Sequence, residues 1–496
     1  MVSFRARNLE ALVSSGGLSR EEGSRLLEGF CPGVVVGPDA TPGNTAFATA
    51  ALLVELLARL HPKIALAGEP TAVRALVAVA RRIDAALVIV PSGDASVGVG
   101  LSESTAEASF YVGAAGTRAI VASSPWAVSP TAFPLAGQVA ACLAAWELFR
   151  LALARLGGRE TWGAPDFQLD LLSYQIHGLE DAIWPTPALP DPITIRDTYV
   201  IGGGALAHGL ARGLLDLGNV RGNLSLVDNR DIKEDTAQRY ACQLPGDTGK
   251  KVGVLADRLE STGLNIHRFP KDYFTFLTED EPDCDIDILV AAVDDRDLRS
   301  AMQAALPRVL INGWTGQGAM GMSVHRFLDG QPCLCCIYGK FDQHPSEEMQ
   351  IHDAFGRAIP PQRIRRMLRD NEPLGDVELA ALQGRFTQQE IERYRGKNIR
   401  AAYQGLVCSG TRVQLPAGQE VDVPVAFMST LVGLLLTVEL IKASLPTMEP
   451  FMLTGAVSMH VPHRPAHIFT TYPKKSDCIC GDPDYRNAYS EKWGVS

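Results

Sequence analysis

Several side chains in this sequence stand at spacings that suggest chemistry. Cys333 and Cys336, in Gly330-Gln331-Pro332-Cys333-Leu334-Cys335-Cys336, have the spacing of a zinc knuckle, and Cys478-Ile479-Cys480-Gly481 follows 142 residues after Cys336. Four thiolates from two distant pairs would close a tetrahedral Zn²⁺ site of the structural kind, tying the last residues back onto the domain. A redox dithiol is the competing reading, and Cys335 is left without a part. Asp294 and Asp295 end the apolar run Ile288-Leu289-Val290-Ala291-Ala292-Val293. Carboxylates at such a strand end face the ligand crevice of an α/β sheet, and beside phosphates they imply Mg²⁺. A helix N-cap at either aspartate is the plainer alternative, and the two readings are compatible. Arg239 and Lys251 follow a βαβ unit. A dehydrogenase has no need of two such cations, whereas an enzyme that splits ATP between its α- and β-phosphates does, because charge builds on the departing pyrophosphate. Solvated surface cations are the alternative.

The elements that must position these groups begin at Thr198. Tyr199-Val200-Ile201 reads as a strand, Gly202-Gly203-Gly204-Ala205-Leu206-Ala207 as a tight turn, Leu206 to Leu217 as an apolar helix, and Leu224 to Val227 as a second strand ending on Asp228. Gly202 and Gly204 let the backbone turn and approach a phosphate, with Ala205 beside them. The helix start offers N–H groups, and Asp228 is placed for ribose hydroxyls. A bare βαβ unit whose glycines serve packing alone is the alternative. Lys251 opens a further helix at Gly249-Lys250-Lys251-Val252.

The chain of 496 residues implies two or three domains with ample core, and its net charge of −10 argues against a nucleic-acid surface. No signal peptide is expected at its start. The uncharged, strongly apolar run Val423 to Val438 is interrupted by polar residues and followed by Glu439, so a buried helix is expected rather than a membrane span. Ten scattered cysteines suggest a reducing cytoplasm.

The first 156 residues carry their own α/β pattern. Ile64 to Gly68, Thr71 to Arg82 and Ala85 to Val90 read as strand, helix and strand, with Gly68-Glu69-Pro70 where a glycine fingerprint would stand. The helical stretch Pro134 to Leu153 resembles Val425 to Leu445: Glu147-Leu148-Phe149-Arg150 in one matches Glu439-Leu440-Ile441-Lys442 in the other. We read two copies of one architecture, the first without its nucleotide loop, against the alternative of two unrelated core helices. The expected fold class is α/β with two Rossmann-like lobes, the first degenerate, plus a helical insertion and a zinc knuckle. Residues 157–195 read as a proline-rich linker. A charged helical stretch over 341–408 reads as an insertion, either a lid or docking surface or a solvated decoration. Residues 409–496 carry the return helix and the tail.

The ordered set of motifs resembles the adenylating enzymes that include the thiamine and molybdopterin pathway activators and the ubiquitin-activating enzymes. Gly202 to Ala207 is similar to that family's glycine loop, Asp228 to its acid, and Arg239 to the arginine of its Asn-Leu-Asn-Arg motif. Lys251 is similar to its helix-opening lysine, Asp294 to Arg299 to its Asp-Asn-x-x-x-Arg motif, and Gly330 to Cys336 to its Gly-x-Pro-Cys-x-x-Cys. Thr236 and Gln238 replace the family's asparagines, and the second acid after Asp228 falls at Asp231. The resemblance covers roughly 196–340 and 405–481. It implies ATP and Mg²⁺ as cofactors beside Zn²⁺, an inactive adenylation lobe over 1–156 and an active one over 196–340 and 409–496. It further implies attack of a C-terminal carboxylate on the α-phosphate of ATP, with Arg239, Lys251 and Asp294 as catalytic groups. An arginine from the opposite half can reach the active site in that family; Arg5, Arg7 and Arg20 are the candidates here.

Cys408, among small and polar residues near Arg412, suits an accessible thiolate. It precedes the Val425 helix as the family's transfer cysteine does, so the resemblance implies a thioester there. An inert loop cysteine is the alternative, and Cys242, Cys284 and Cys335 are the rival positions. The expectation is a cytoplasmic activating enzyme for a ubiquitin-like protein with a C-terminal glycine, handing it to a conjugating enzyme, as in bacterial antiviral defence operons. No nucleic-acid or membrane partner is expected, and a homodimer is left open. Two rivals stand: a sulfur-carrier or peptide-modifying adenylyltransferase without a thioester, and a non-catalytic nucleotide-binding scaffold. An NAD oxidoreductase is more distant, lacking an acid–base partner for hydride transfer.

Overall fold

Short β-branched runs alternate with alanine- and leucine-rich helices through both halves of the chain, and this alternation folds into two mixed sheets covered by helices. The computed structural model describes residues 9, 20–101, 107–157, 166–183, 185, 187–316, 319–339, 347–383, 386, 388–392, 394–406, 412–414, 420–422, 425–460 and 468–495. Candidate residues Arg5, Arg7 and Cys408 lie outside them, as does the side chain of Arg20.

The first lobe runs α1 (Arg20–Gly29), β1 (Pro32–Val36), α2 (Thr45–Leu60), β2 (Lys63–Gly68), α3 (Pro70–Ile83), β3 (Val88–Val90), β4 (Ala95–Val99), β5 (Phe110–Ala115), β6 (Arg118–Ala122), α4 (Ala136–Gly157), β7 (Phe167–Asp170) and β8 (Ile176–His177). The second begins with β9 (Ile193–Thr194), β10 (Thr198–Ile201), α5 (Ala205–Leu217), β11 (Val220–Val227), α6 (Lys251–Leu259), β12 (Gly263–Phe269), α7 (Tyr273–Glu279), β13 (Ile288–Ala291), α8 (Arg296–Ala304), β14 (Val309–Gly316), β15 (Ala319–His325) and α9 (Leu334–Tyr338). Helices α10 (Glu347–Ala354), α11 (Pro361–Asp370), α12 (Asp376–Ala381), α13 (Gln388–Glu392) and α14 (Ile399–Leu406) form the insertion, followed by a two-stranded ribbon, β16 (Arg412–Gln414) with β17 (Glu420–Asp422). The second lobe closes with α15 (Ala426–Ser444), β18 (Ala456–His460), β19 (Phe469–Thr470) and α16 (Pro483–Trp493).

The two sheets have one topology. The first has the order β3-β2-β1-β4-β5-β6-β7-β8 and the second β12-β11-β10-β13-β14-β15-β18-β19, with β9 added against β11. In each, the strands up to the fifth in this order pair in parallel and the last three are antiparallel. The repeat expected from the two similar helices is thus a repeat of whole lobes. Its register needs one correction. The counterpart of β10, which enters the glycine loop, is β1 rather than β2, so the segment replacing that loop is Gly37 to Asn44, not Gly68-Glu69-Pro70. β1 is short and begins with Pro32-Gly33, which hides it from a reading by periodicity. Its following loop is packed onto the neighbouring strand, with Gly37 N donating to Val99 O at 2.9 Å, and Asn44 caps α2 through Phe47 N at 2.8 Å. The stretch 157–195, expected to be a linker, contains β7 and β8, which extend the first sheet.

Helix α15 is buried along its entire length. It is the one described helix apolar and long enough to cross a membrane, and here it is a core helix. It crosses α5 so closely that a Cβ on Gly433 would lie 2.4 Å from the Gly209 backbone, and a Cβ on Gly213 would lie 2.4 Å from Thr437. It also meets α4 of the first lobe, Phe427 stacking on Phe149 at 5.6 Å, so one apolar core runs through both lobes. Its acid and base pair with each other, Lys442 Nζ to Glu439 Oε1 at 2.7 Å and fully buried, as Arg150 and Glu147 do at 2.6 Å in α4. The insertion has a separate small core of Ile351, Phe355, Ile364, Met367, Leu379 and Ile399.

Candidate nucleotide cleft and cysteine cluster

Strand order reverses on either side of β10, and the loops leaving β10 and β13 diverge there, opening a crevice at the carboxyl ends of the strands. A cleft of about 770 Å³ occupies this position. Gly204, Ala205 and Leu206 form one wall at the start of α5; Ala292, Val293 and Asp294 line it from the end of β13, and Trp314 and Thr315 from β14. Arg230, Asp231, Lys233, Thr236, Arg239, Tyr240 and Lys251 close it from the segment after β11, and Arg299 from α8. Five cations face two carboxylates in a protein of net charge −10, so the cleft is a local reversal of the overall field. Such a lining suits a polyanion.

The loop works as its composition requires. Gly202 adopts φ +98°, which a side chain disfavours, and a Cβ there would sit 2.6 Å from Ala292 O. Gly204 is the residue before α5 and presents its first N–H groups to the cleft. Gly202 itself lies behind the loop, outside the cleft lining. Asp228, 5% exposed, also lies behind it: Oδ2 accepts from Gly203 N at 2.8 Å and Oδ1 from Arg230 N at 2.7 Å. Its visible role is to hold the loop. The structure places the two aspartates after β13 differently. Asp294 is exposed on the cleft wall, whereas Asp295 caps α8, accepting from Leu298 N at 2.7 Å.

Arg239, Lys251 and Asp294 line one cleft although they come from three different segments. Tyr240, absent from the sequence-based candidates, lines the same cleft beside the two cations. Its ring takes the Arg239 guanidinium carbon at 5.4 Å and Lys251 Nζ at 5.8 Å, and His208 stacks on it at 4.6 Å. A ring near two cations gains from both. His208 is fully buried with neither ring nitrogen hydrogen-bonded, and burial, with the nearby Arg59, Lys251 and Arg258, pulls it well below the usual imidazole range. Arg299 is buried, donates to Val293 O and to Gly313 O at 2.9 Å, and thereby joins the two strand ends that flank Asp294.

The first lobe reaches this site through α2. Arg59, 1% exposed, donates to Ala237 O, to Ala241 O at 3.0 Å and to Gln243 O at 3.0 Å. One turn earlier Glu55 accepts from Arg212 of α5 at 2.7 Å and from Arg82 at 2.9 Å. Burial pulls the Arg59 guanidinium down to about 10 against the pull of Glu55, so it is charged at neutral pH.

Cys333, Cys336, Cys478 and Cys480 come together, all buried, with their sulfur atoms within 4.8 Å of one another. Cys333 Sγ lies 3.4 Å from Cys478 Sγ and Cys336 Sγ 3.5 Å from Cys480 Sγ. Four buried sulfurs in one cluster are a soft donor set that fits Zn²⁺ of the structural, four-thiolate kind. Cys335, beside Cys333 but not one of the four gathered sulfurs, donates to Ser300 O at 3.4 Å. The tail is tied down beside the cluster by Tyr489 Oη on Arg308 O at 2.8 Å and Trp493 Nε1 on Leu306 O at 2.9 Å.

Fold and site together define a two-lobed, doubly wound α/β protein with a cation-lined cleft beside a glycine turn and a four-cysteine cluster. No protein-family model matches the chain. It is 30% identical over 471 residues to the uncharacterized protein y4jF of Sinorhizobium fredii, spanning 90% of this chain and 88% of that one, and it belongs to the same family as that protein. Among solved structures it is similar to E. coli MccB with ATP, at 13% identity and a TM-score of 0.35 over 75% of this chain and 98% of that one. It is also similar to E. coli MccB with MccA-N7isoASN, at 15% identity and a TM-score of 0.35 over 58% of this chain and 67% of that one.

Proposed function

We propose that the cleft binds ATP with Mg²⁺ and activates the C-terminal carboxylate of a small protein as an acyl-adenylate. The observation that carries this reading is the convergence of Arg239, Lys251 and Asp294 on one cleft headed by the Gly202 to Gly204 turn. In the reaction a carboxylate oxygen bonds to the α-phosphorus while the bond from that phosphorus to the pyrophosphate oxygen breaks. Charge grows on the leaving group, and Arg239 and Lys251 supply fixed positive charge as it does. Asp294 is the carboxylate that would hold Mg²⁺, which one or two carboxylates and the phosphates suffice to bind. Bound there, Mg²⁺ neutralises phosphate charge.

The finer reading rests on the order of motifs along the sequence. The small protein is ubiquitin-like and glycine-terminated; the Cys408 thiolate displaces AMP from the adenylate to form a thioester, and a conjugating enzyme receives the protein. Asp228 serves the ribose, and Cys333, Cys336, Cys478 and Cys480 hold a structural Zn²⁺.

ATP–pyrophosphate exchange by the purified chain, with Mg²⁺ and the small glycine-terminated protein encoded beside it, tests the proposal. Exchange that requires that protein and falls by about 10²–10³-fold in Arg239→Ala is the expected result. Tight ATP binding without exchange would leave a nucleotide-binding scaffold. A non-reducing gel then decides the second step: a thiol-sensitive adduct present in the parent and missing in Cys408→Ala is expected, and its persistence would move the thioester elsewhere.

A further inference from the structure

The segment between β11 and α6 carries Arg230, Lys233, Thr236, Arg239 and Tyr240 to the cleft, yet its only helical piece is the 3-10 turn Glu234–Gln238. Its own backbone bonds, such as Arg239 N and Tyr240 N to Thr236 O and Gln243 N to Tyr240 O, use the carbonyls of Thr236 and Tyr240, and other carbonyls of the segment take partners from elsewhere. Three of them, at Ala237, Ala241 and Gln243, bracket Arg239 and Tyr240, and all three accept from the one guanidinium of Arg59. That guanidinium belongs to the first lobe, 178 residues earlier in the chain than Ala237, and enters from the last turn of α2.

We propose that Arg59 is a positioning residue for the second-lobe cleft, fixing the Arg239–Tyr240 segment through its backbone, and that this is the service the loop-less first lobe performs. A planar fork with several donors can bind three carbonyls at once, and a lysine ammonium at the same place can do so only with poorer geometry. Glu55, one turn earlier on α2, binds Arg212 of α5, the helix that begins at the glycine loop. One first-lobe helix therefore holds both the loop helix and the cationic segment, which sets the distance between phosphate-binding backbone and Arg239. The functional half of this inference rests on the adenylation reading; the structural half does not.

The test uses the full chain and its variants Arg59→Lys and Arg59→Ala, followed by ATP–pyrophosphate exchange, amide hydrogen exchange and melting. Arg59→Lys is expected to stay folded with the parent zinc content while amides of residues 234–243 exchange faster and kcat for pyrophosphate exchange falls about 10-fold. Arg59→Ala is expected to lose about 10²-fold, the scale of a small misplacement of a reacting group. The KM for the small protein is expected to stay unchanged in both. Parent rates of pyrophosphate exchange in a folded Arg59→Lys, or parent protection of 234–243, would overturn the proposal. Should Arg59→Ala fail to fold, Arg59→Lys alone decides. Should the parent chain itself show no pyrophosphate exchange, the adenylation reading fails, and the amide exchange of 234–243 in Arg59→Lys still decides whether Arg59 fixes the segment.

Discussion

Lys251 Nζ, on the cleft wall, lies 3.8 Å from Asp228 Oδ2; both side chains are buried, and the same oxygen accepts from Gly203 N of the glycine turn at 2.8 Å. The acid therefore links the loop backbone to the cation at the start of α6. Asp228→Asn keeps the size of the side chain but removes the charge opposite Lys251. We expect it to weaken ATP binding by about 10-fold and to lower unfolding free energy by about 1–3 kcal/mol, the scale for disturbing a buried hydrogen-bonded group. Calorimetric titration with ATP and a urea melt check the two numbers. Parent values in both would show that the loop holds its shape without this carboxylate.

The cysteine cluster makes a clean pair of variants. Cys480→Ser removes one of the four gathered sulfurs, whereas Cys335→Ser touches a thiol bonded to Ser300 O outside the cluster. Metal analysis of the purified chain is expected to find zinc in the parent and in Cys335→Ser, and to find it lost in Cys480→Ser together with a lower melting temperature. Zinc retained in Cys480→Ser would break the assignment.

The buried pair on α15 is expected to punish the loss of one partner. Glu439 accepts from Lys442 at 2.7 Å and from Leu453 N at 3.0 Å, and from Tyr174 of the first lobe. Lys442→Met strands Glu439 in the core, at an expected cost of about 3–5 kcal/mol. Glu439→Gln added to it should recover part of that loss, since a neutral amide no longer needs the cation. Chemical denaturation of the two variants reads the difference; equal stability of the single and double variants would contradict it.

His208 should make the protein acid-sensitive. Its folded-state pKa is depressed below the ordinary value of 6.5 by burial and neighbouring cations. Below about pH 6.5 the unfolded chain then takes up a proton that the folded chain refuses, so the free energy of unfolding decreases as pH falls. The loss is at most about 1.4 kcal/mol per pH unit for this residue. His208→Phe keeps a ring against Tyr240 and removes the titration. Its stability between pH 6.5 and 5 is expected to fall less steeply than the parent's in denaturant melts, and identical slopes would exclude His208 as the source.

Where chemistry depends on neighbours in the chain, it is legible in the sequence. A turn needing positive φ calls for glycine at Gly202, a β-branched run leads into it, and Asp228 follows the next strand; these are facts of backbone sterics and of short apolar strands buried on both faces. The burial of α15 is legible too, because a helix apolar on all sides must be enclosed. The spacing of the paired cysteines announces that they gather in one cluster.

Tertiary structure decided what spacing leaves open. Asp294 and Asp295 are alike in sequence, but successive backbone units point different ways, so one faces the cleft and the other closes on Leu298 N. Cys335 sits between two cluster cysteines and is excluded because a helical turn aims it at α8. The equivalence of β1 with β10 emerged only from strand order, since hydrogen bonds between distant strands leave no trace in a short, glycine-containing stretch. Arg59 had no local signal at all: a basic residue in a last helical turn usually serves its own helix dipole, and only the meeting of the two lobes brings its guanidinium to the carbonyls around Arg239.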